Sequence, residues 1–388
     1  MLKRLKNALL AALLATGVAT GAQAAGVTAT EIVLGTHLDL SGPVAAGMPS
    51  LRNGMQMRLD EANEAGGVNG RKFRMVVEDN GSQPQMAVRA IDKLIRKDEV
   101  FAIVNPFGSA TNAAVVKRAV DDGVIYFAPW GASSIIRKSA SDSQLLFTTT
   151  PNYDTIMNTG VTWMLDQFKP KKVGYIYQEG PLGALMGEGI KKALTAKGMT
   201  YAAEAGYKAG DIDFSSQVAR MKAADVDLLV IATVTRETIG IMAEVKKLGW
   251  NTVRVITGNP GRTGIVLQLG KDTVEGLYGV GVWKLYTPTS GPDSVKKWFA
   301  DYKKKYTNEP DENALLSYAY TDMFVKAVQA AGKDLTADKV VKALQTGTFE
   351  HPIFYEKQTF KGNHQGPEFV EVDQVKGGAW TSLTKPMQ

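Results

Sequence analysis

Residues 101–128, FAIVNPFGSATNAAVVKRAVDDGVIYFA, decide the fold. Phe101-Ala102-Ile103-Val104 is a short apolar run that stops at Asn105-Pro106, as a buried strand does. Ala110 to Val120 reads as a helix, and Val124 to Ala128 as the next buried strand. A strand, a covering helix and a second strand within 28 residues make a βαβ unit, whose two strands run parallel.

The same rhythm extends in both directions. Upstream, Glu31 to Gly35 is a strand, and Leu51, Met55, Leu59 and Ala62 recur at helical spacing until Gly66-Gly67 end the helix. Phe73 to Val77 is the following strand, and Pro84 suits the first turn of a helix running to about Lys97. Such strict alternation argues for α/β architecture, a parallel sheet with helices on both faces. After Pro151 the series restarts: strands at 173–177, 227–232 and 253–257, helices at 182–196, 214–223 and 236–248. Two series of similar length predict two similar lobes rather than one long sheet, although no repeat joins them in sequence. Helices at about 293–306, 312–331 and 336–345 come late, Thr336 capping the last, and suggest that the chain returns to the first lobe. The tail from about 353 alternates polar and apolar residues around Gly-rich turns, as extended strands do.

At the other end, Lys3, Arg4 and Lys6 precede an apolar stretch beginning at Leu9, and Ala22-Gln23-Ala24 offers the small residues a signal peptidase reads. The stretch is short of the roughly 20 residues a membrane helix needs. Residues 1–24 are therefore expected to be a cleaved signal peptide, which leaves 388 less 24, or 364, residues outside the cytoplasm. Removing its three cations from 45 Lys+Arg leaves 42 against 39 Asp+Glu, a net +3. No nucleic-acid partner is implied, nor is stable membrane insertion. Cysteine is absent, which removes disulfides, thiolate nucleophiles and an N-terminal lipid anchor, so the expected compartment is the periplasm rather than the medium.

Chemistry concentrates in two turns. Val104-Asn105-Pro106-Phe107-Gly108-Ser109-Ala110-Thr111-Asn112 carries a strand into a helix whose first amides can hold an anion, with hydroxyl donors on Ser109 and Thr111. Ser109 as a plain helix cap is the competing reading. The segment is neither a P-loop nor G-x-G-x-x-G. Ala128-Pro129-Trp130-Gly131-Ala132-Ser133-Ser134 follows the neighbouring strand, and open α/β sheets bind ligands outside the carboxyl ends of adjacent strands. Trp130 either stacks on a ligand or covers the loop. His37, His351 and His364 lie apart and match no metal spacing, and no G-x-S-x-G elbow occurs. No catalytic residue, cofactor or metal is expected, and a secreted hydrolase lacks a nucleophile–base pair. His37 is either a cleft-border residue or a structural one.

Leu40-Ser41-Gly42-Pro43, Asn63-Glu64-Ala65-Gly66-Gly67-Val68-Asn69-Gly70-Arg71, Gly108-Ser109 followed by Ala128-Pro129, and Asp213-Phe214-Ser215 stand in an order and spacing that resemble a known family. Nearly the whole exported chain is similar to the periplasmic solute-binding proteins of branched-chain amino-acid-type ABC transporters, the leucine/isoleucine/valine-binding group. The resemblance implies the type I periplasmic binding fold: two Rossmann-like α/β lobes joined by three crossovers, placed near 150, 285 and 363. Lobe one then takes 25–150 plus 286–362, and lobe two 151–285 plus 363–388. It implies a monomer that closes on a small solute by hinge motion and hands it to a membrane permease; a sensor passing its signal to a receptor needs the same cleft.

The resemblance also implies the pocket. The carboxylate-gripping serine falls on Ser109 beside Ala110, and the next turn contributes Trp130, Gly131, Ala132 and Ser133. In the second lobe the matching positions are Leu182, Val234 with Thr235, and Asn259, where the family has two tyrosines and an acid for the ligand's ammonium; Gly47 replaces a tryptophan. The expected ligand keeps a carboxylate and is either a des-amino aliphatic or aromatic acid or, if another acid replaces the missing one, an amino acid. Arg236 either adds a carboxylate contact or faces solvent.

Overall fold

The computed structural model describes residues 24–362 and 364–388. The signal peptide expected at 1–24 lies, except for Ala24, outside the described residues. The first series gives β1 (Glu31–Leu38), α1 (Met48–Glu64), β2 (Lys72–Asp79), α2 (Pro84–Arg96), β3 (Ala102–Val104), α3 (Ser109–Asp121), β4 (Ile125–Phe127), α4 (Ser134–Ser139) and β5 (Leu146–Phe147). The second gives α5 (Tyr153–Phe168), β6 (Val173–Gln178), α6 (Pro181–Ala196), β7 (Tyr201–Tyr207), α7 (Ser215–Ala223), β8 (Leu228–Ala232), α8 (Thr235–Lys247), β9 (Arg254–Thr257), α9 (Gly264–Gly270) and β10 (Tyr278–Gly281). Then come α10 (Asp293–Lys305), α11 (Glu312–Ala331), α12 (Ala337–Thr346), β11 (Glu371–Lys376) and β12 (Ala379–Ser382).

The first sheet has the order β2-β1-β3-β4-β5, all parallel. The second runs β12-β11-β10-β9-β8-β6-β7. Its strands β6 to β10 are parallel and repeat the order of the first sheet, so the similarity of the lobes is topological. The parallel sheets flanked by helices expected from sequence are present, and so are the extended strands expected in the tail. The tail adds β11 and β12 antiparallel at the β10 edge, turning at Gly377-Gly378. A two-residue turn can join only antiparallel strands.

In each sheet the strand order reverses between the first and third strands of its series. Crossovers therefore diverge there and leave a crevice at the carboxyl ends. Both faces of the first sheet are buried, one under α2 and α3, the other under α1 and the late helices. Phe127 and Phe147 share that second core with Trp298, Tyr302, Phe324 and Leu344, so α10, α11 and α12 pack on the first sheet although they follow β10 in the chain. Among the described residues no helix is long and apolar enough to cross a membrane.

Among the described residues the chain passes between the two sheets after β5, after β10 and before β11, and backbone hydrogen bonds flank these passages. Ala132 O accepts from Tyr153 N–H (2.6 Å), Ile353 O accepts from Lys284 N–H (2.8 Å), and Thr148 pairs with His364 and Gly366 through backbone bonds of 3.1 and 2.7 Å. Beside them Arg262 is buried with Asp373. Its Nη1 donates to the Trp283 carbonyl (2.6 Å) and its Nη2 to the Tyr355 hydroxyl (3.4 Å). A Cβ at Gly279 would lie 2.5 Å from Arg262 Cγ and one at Gly281 2.4 Å from its Cζ, so β10 lacks two side chains where the arginine crosses it.

Candidate ligand-binding cleft

The turns after β3 and β4 are bonded to each other. Gly108 N–H donates to Trp130 O (2.9 Å) and Trp130 N–H to Pro106 O (2.7 Å). Beneath them runs a buried polar chain. Asn80 Nδ2 meets His37 Nδ1 (2.9 Å), His37 Nε2 meets the Tyr126 hydroxyl (2.9 Å), and that hydroxyl donates to Asn112 Oδ1 (2.6 Å). Asn112 Nδ2 then donates to the carbonyls of Pro106 (3.1 Å) and Trp130 (2.9 Å), fixing both turns from below. Burial pushes His37 down to about 3, so it is neutral; its place is under the cleft, in a structural role.

Ser109 is the first residue of α3, one position past Gly108, which occupies the N-cap. Opposite it Gly131 holds φ +124°. A Cβ there would stand 2.7 Å from Ser109 Oγ and 2.9 Å from Ser109 N, so glycine leaves the hydroxyl and amide uncovered. Tyr153, whose hydroxyl burial pushes up to about 12, reaches the Ser109 side chain. Trp130 is held by Asn105 Oδ1 (3.2 Å from its Nε1) and lies edge-on to Tyr320, with centroids 6.4 Å apart. Those two aromatics form a fixed wall of the cleft.

The cleft has a volume of about 540 Å³, in the range of small-molecule sites. Of the residues expected from sequence, Ser109, Trp130, Gly131, Ala132, Leu182, Val234, Thr235, Asn259 and Gly47 line it. These come from loops at the carboxyl ends of strands on both sheets and from the segment before α1. Nothing lies within 4 Å of a Cβ built on Gly47, so the room expected there exists. Ala110 is exposed outside the cleft, and Ser133 is buried beside it without lining it. Thr111 needs a correction as a hydroxyl donor to a ligand: it is buried and donates to Phe107 O (2.6 Å). The Arg236 side chain is exposed and 3.6 Å from Glu237, on the solvent side of the alternatives.

Tyr153, Trp283, Asp311, Glu312 and Tyr320 also line the cleft, and sequence reasoning missed them. Asp311 and Glu312 are the charged residues among the lining groups; no Lys, Arg or His is among them. Asp311 Oδ1 caps α11 by accepting from Ala314 N–H (2.9 Å). Glu312, 5% exposed, accepts from Gly264 N–H across the cleft (2.9 Å). Burial first, then the charge of Asp311, pushes Glu312 up to about 7; burial raises Asp311 too. Asn259 Oδ1 and Trp283 Nε1, both buried, have no hydrogen-bond partner. Among the described residues no group of three or more His, Cys, Asp or Glu could hold a metal.

Two parallel-dominated α/β lobes, each offering strand-end loops to one shared apolar cleft, define a two-lobed solute-binding architecture. The profile of the family described as periplasmic binding protein matches residues 31–379, and the chain belongs to that family. Among curated relatives, the Leu/Ile/Val-binding protein BraC3 of Rhizobium johnstonii is 27% identical over 331 residues, 85% of this chain and 87% of that one. Among solved structures, a fatty acid ABC transporter substrate-binding protein from Thermomonospora curvata superposes with a TM-score of 0.80 at 24% identity, covering 94% of each chain. The branched-chain amino acid transporter substrate-binding protein LivJ of Streptococcus pneumoniae, in complex with isoleucine, gives 0.78 at 20% identity, covering 92% of this chain and 99% of that one. At these identities the structures establish the shared fold.

Proposed function

We propose that the protein is the solute-binding component of an ABC importer: it captures a small carboxylate-bearing solute between its lobes and delivers it to a membrane permease. The observation that carries this reading is the Ser109–Gly131 pair. A helix-start amide and a hydroxyl are left uncovered by a positive-φ glycine, facing an apolar cleft whose walls come from both lobes. An anion's oxygens suit those donors, and Trp130, Leu182, Val234 and Tyr320 suit an apolar body.

On this reading residues 25–150 with 286–362 move as one lobe and 151–285 with 363–388 as the other. They rock about the connections at Ala132–Tyr153, Lys284–Ile353 and Thr148–Gly366. The closed form is stabilised by contacts made only when ligand touches both lobes. The protein acts in the periplasm as a monomer and releases its solute unchanged. The curated Leu/Ile/Val-binding relatives support amino-acid solutes and the Thermomonospora neighbour supports plain acids.

The test is a thermal-shift screen of the purified protein, refolded to strip carried-over ligand, against amino acids and carboxylic acids. A ligand at 100 times its Kd stabilises by about 2.7 kcal/mol. At least one carboxylate is expected to raise the melt, to be lost in Ser109→Ala, and to be recovered intact by mass spectrometry. No shift by any carboxylate, or a shift indifferent to Ser109, removes the reading.

A further inference from the structure

Across the cleft the two halves of the molecule touch directly, through atoms of the protein alone. Glu312 Oε1 accepts the Gly264 N–H at 2.9 Å. Glu312 starts α11, whose Leu315 and Leu316 lie in the core against the first sheet. Gly264 starts α9, whose Val266 lies in a core of the second. The contact stands away from the passages of the chain, with 48 residues between its partners. Each partner is firmly mounted. Asp311 caps α11 through Ala314 N–H and also accepts from the Ser50 side chain of α1, which fixes where Glu312 leaves the first half. On the other side Thr263 caps α9, its carbonyl accepts from Trp380 Nε1 (3.0 Å), and Arg262 before it is bonded to Asp373. A Cβ on Gly264 would stand 3.0 Å from Glu312 Oε2, so glycine admits the close approach. The charge of Arg262 also draws the Glu312 carboxylate toward the second half.

We infer that Glu312 and Gly264 form a solute-independent latch between the lobes, which holds part of the solute-free population shut. This rests on the reading that the lobes rock about the passages between the sheets, and it adds to solute-bridged closure a contact that belongs to the protein itself. The latch is weak by construction. Burial of Glu312, 5% exposed, works against its charge, and opening returns the carboxyl to water. The bond to Gly264 and the pull of Arg262 work the other way. A net intramolecular hydrogen bond shifts an equilibrium by about two- to tenfold, enough to populate the shut form and too little to lock it. A solute gripped by both lobes is held only in the shut form, so the latch multiplies the affinity of every solute by one factor. It selects nothing. Ser109 and the apolar wall choose the solute, and Glu312 sets how readily the lobes stay closed over it.

The experiment is a pulsed electron-spin distance measurement on the solute-stripped protein, with labels on Lys117→Cys in α3 and Lys247→Cys in α8, both exposed sites in a chain that has no other cysteine. Glu312→Ala removes the acceptor. Gly264→Ala, at a position without positive φ, keeps the N–H and wedges a methyl against Glu312, so the two variants test one contact from opposite sides. Each is expected to lower the solute-free ratio of shut to open about fivefold. Calorimetry on the unlabelled proteins, with amino acids and with aliphatic and aromatic acids, is expected to show Kd raised by one common factor of up to about five. Identical solute-free distances in wild type and both variants, with solute still closing the lobes, overturn the latch and leave the solute reading standing. Loss confined to one ligand class also overturns it, by making Glu312 a ligand contact. If the wild type binds none of these solutes while the variants still open the lobes, the latch stands and the solute reading falls. One unchanged distance in every sample, with and without solute, overturns lobe motion and latch together.

Discussion

Asp373→Asn tests whether the Arg262 pair holds the crossover region together. Both side chains are 3% exposed, and Arg262 bonds Asp373 through Nε and Nη2 while its remaining donors go to Trp283 O and the Tyr355 hydroxyl. Burial disfavours the guanidinium charge, and Tyr355 and Asp373 together outweigh that. Taking the Asp373 charge away removes the hydrogen-bonded counter-charge of a buried cation and leaves it the charge of Glu371 alone among the acids acting on it from its own lobe, and breaking a buried pair in this way usually loses about 3–5 kcal/mol. At about 2.1 cal/mol/K per residue, the 364 residues (388 less 24) expected to remain after export give an unfolding entropy near 0.8 kcal/mol/K. A loss of about 4 kcal/mol then lowers Tm by about 5 °C. Removing both partners, Arg262→Met with Asp373→Leu, eliminates the charge problem and is expected to recover most of that loss. Guanidinium unfolding and calorimetry on the wild type, the single and the double variant read it directly. A single-variant loss under about 1 kcal/mol, or a double variant no better than the single, refutes the argument that an unpaired charge is what matters.

Other outcomes follow from particular residues. The native Glu312 holds a proton up to about pH 7 that the unfolded chain releases near 4.5, so its contribution falls as pH rises through that window. His37 and His351, pushed down to about 3 and 4, act oppositely below pH 6.5, so the informative quantity is wild type minus Glu312→Gln. That difference is expected to change by about 3 kcal/mol between pH 4.5 and 7, read as urea midpoints, and a flat difference refutes it. Gly131→Ala puts a methyl against Ser109 at φ +124° and is expected to weaken carboxylate binding 100-fold or more by calorimetry; unchanged Kd would separate Ser109 from the site. Exposed Lys169 ends α5 at φ +49°, a conformation glycine adopts freely, so Lys169→Gly is expected to gain about 1 kcal/mol in denaturant unfolding.

Much of the fold was legible because buried parallel strands are short apolar runs, and Phe101–Val104 and Val124–Ala128 are such runs. Tyr201–Tyr207 escaped because β7 is an edge strand, half-buried and built of Ala, Gly, Glu and Tyr. The β3 and β4 turns were legible as site elements because turn residues after a strand are a local signal. The hydroxyl of Thr111 was misplaced since nothing local tells which way a first-turn threonine points. Asp311 and Glu312 read as an ordinary helix start. Their place in the cleft depends on α11 packing back onto the first sheet, a contact made across the intervening second series, and no window of sequence carries it.

The polar chain from Asn80 through His37, Tyr126 and Asn112 has a kinetic consequence. It fixes the Ser109 turn before any solute arrives, so the first encounter orders little of the protein and loses little freedom. Association rates should therefore be similar for acids of similar size and charge. Discrimination among them should appear in dwell time, as differences in how long the closed lobes stay shut.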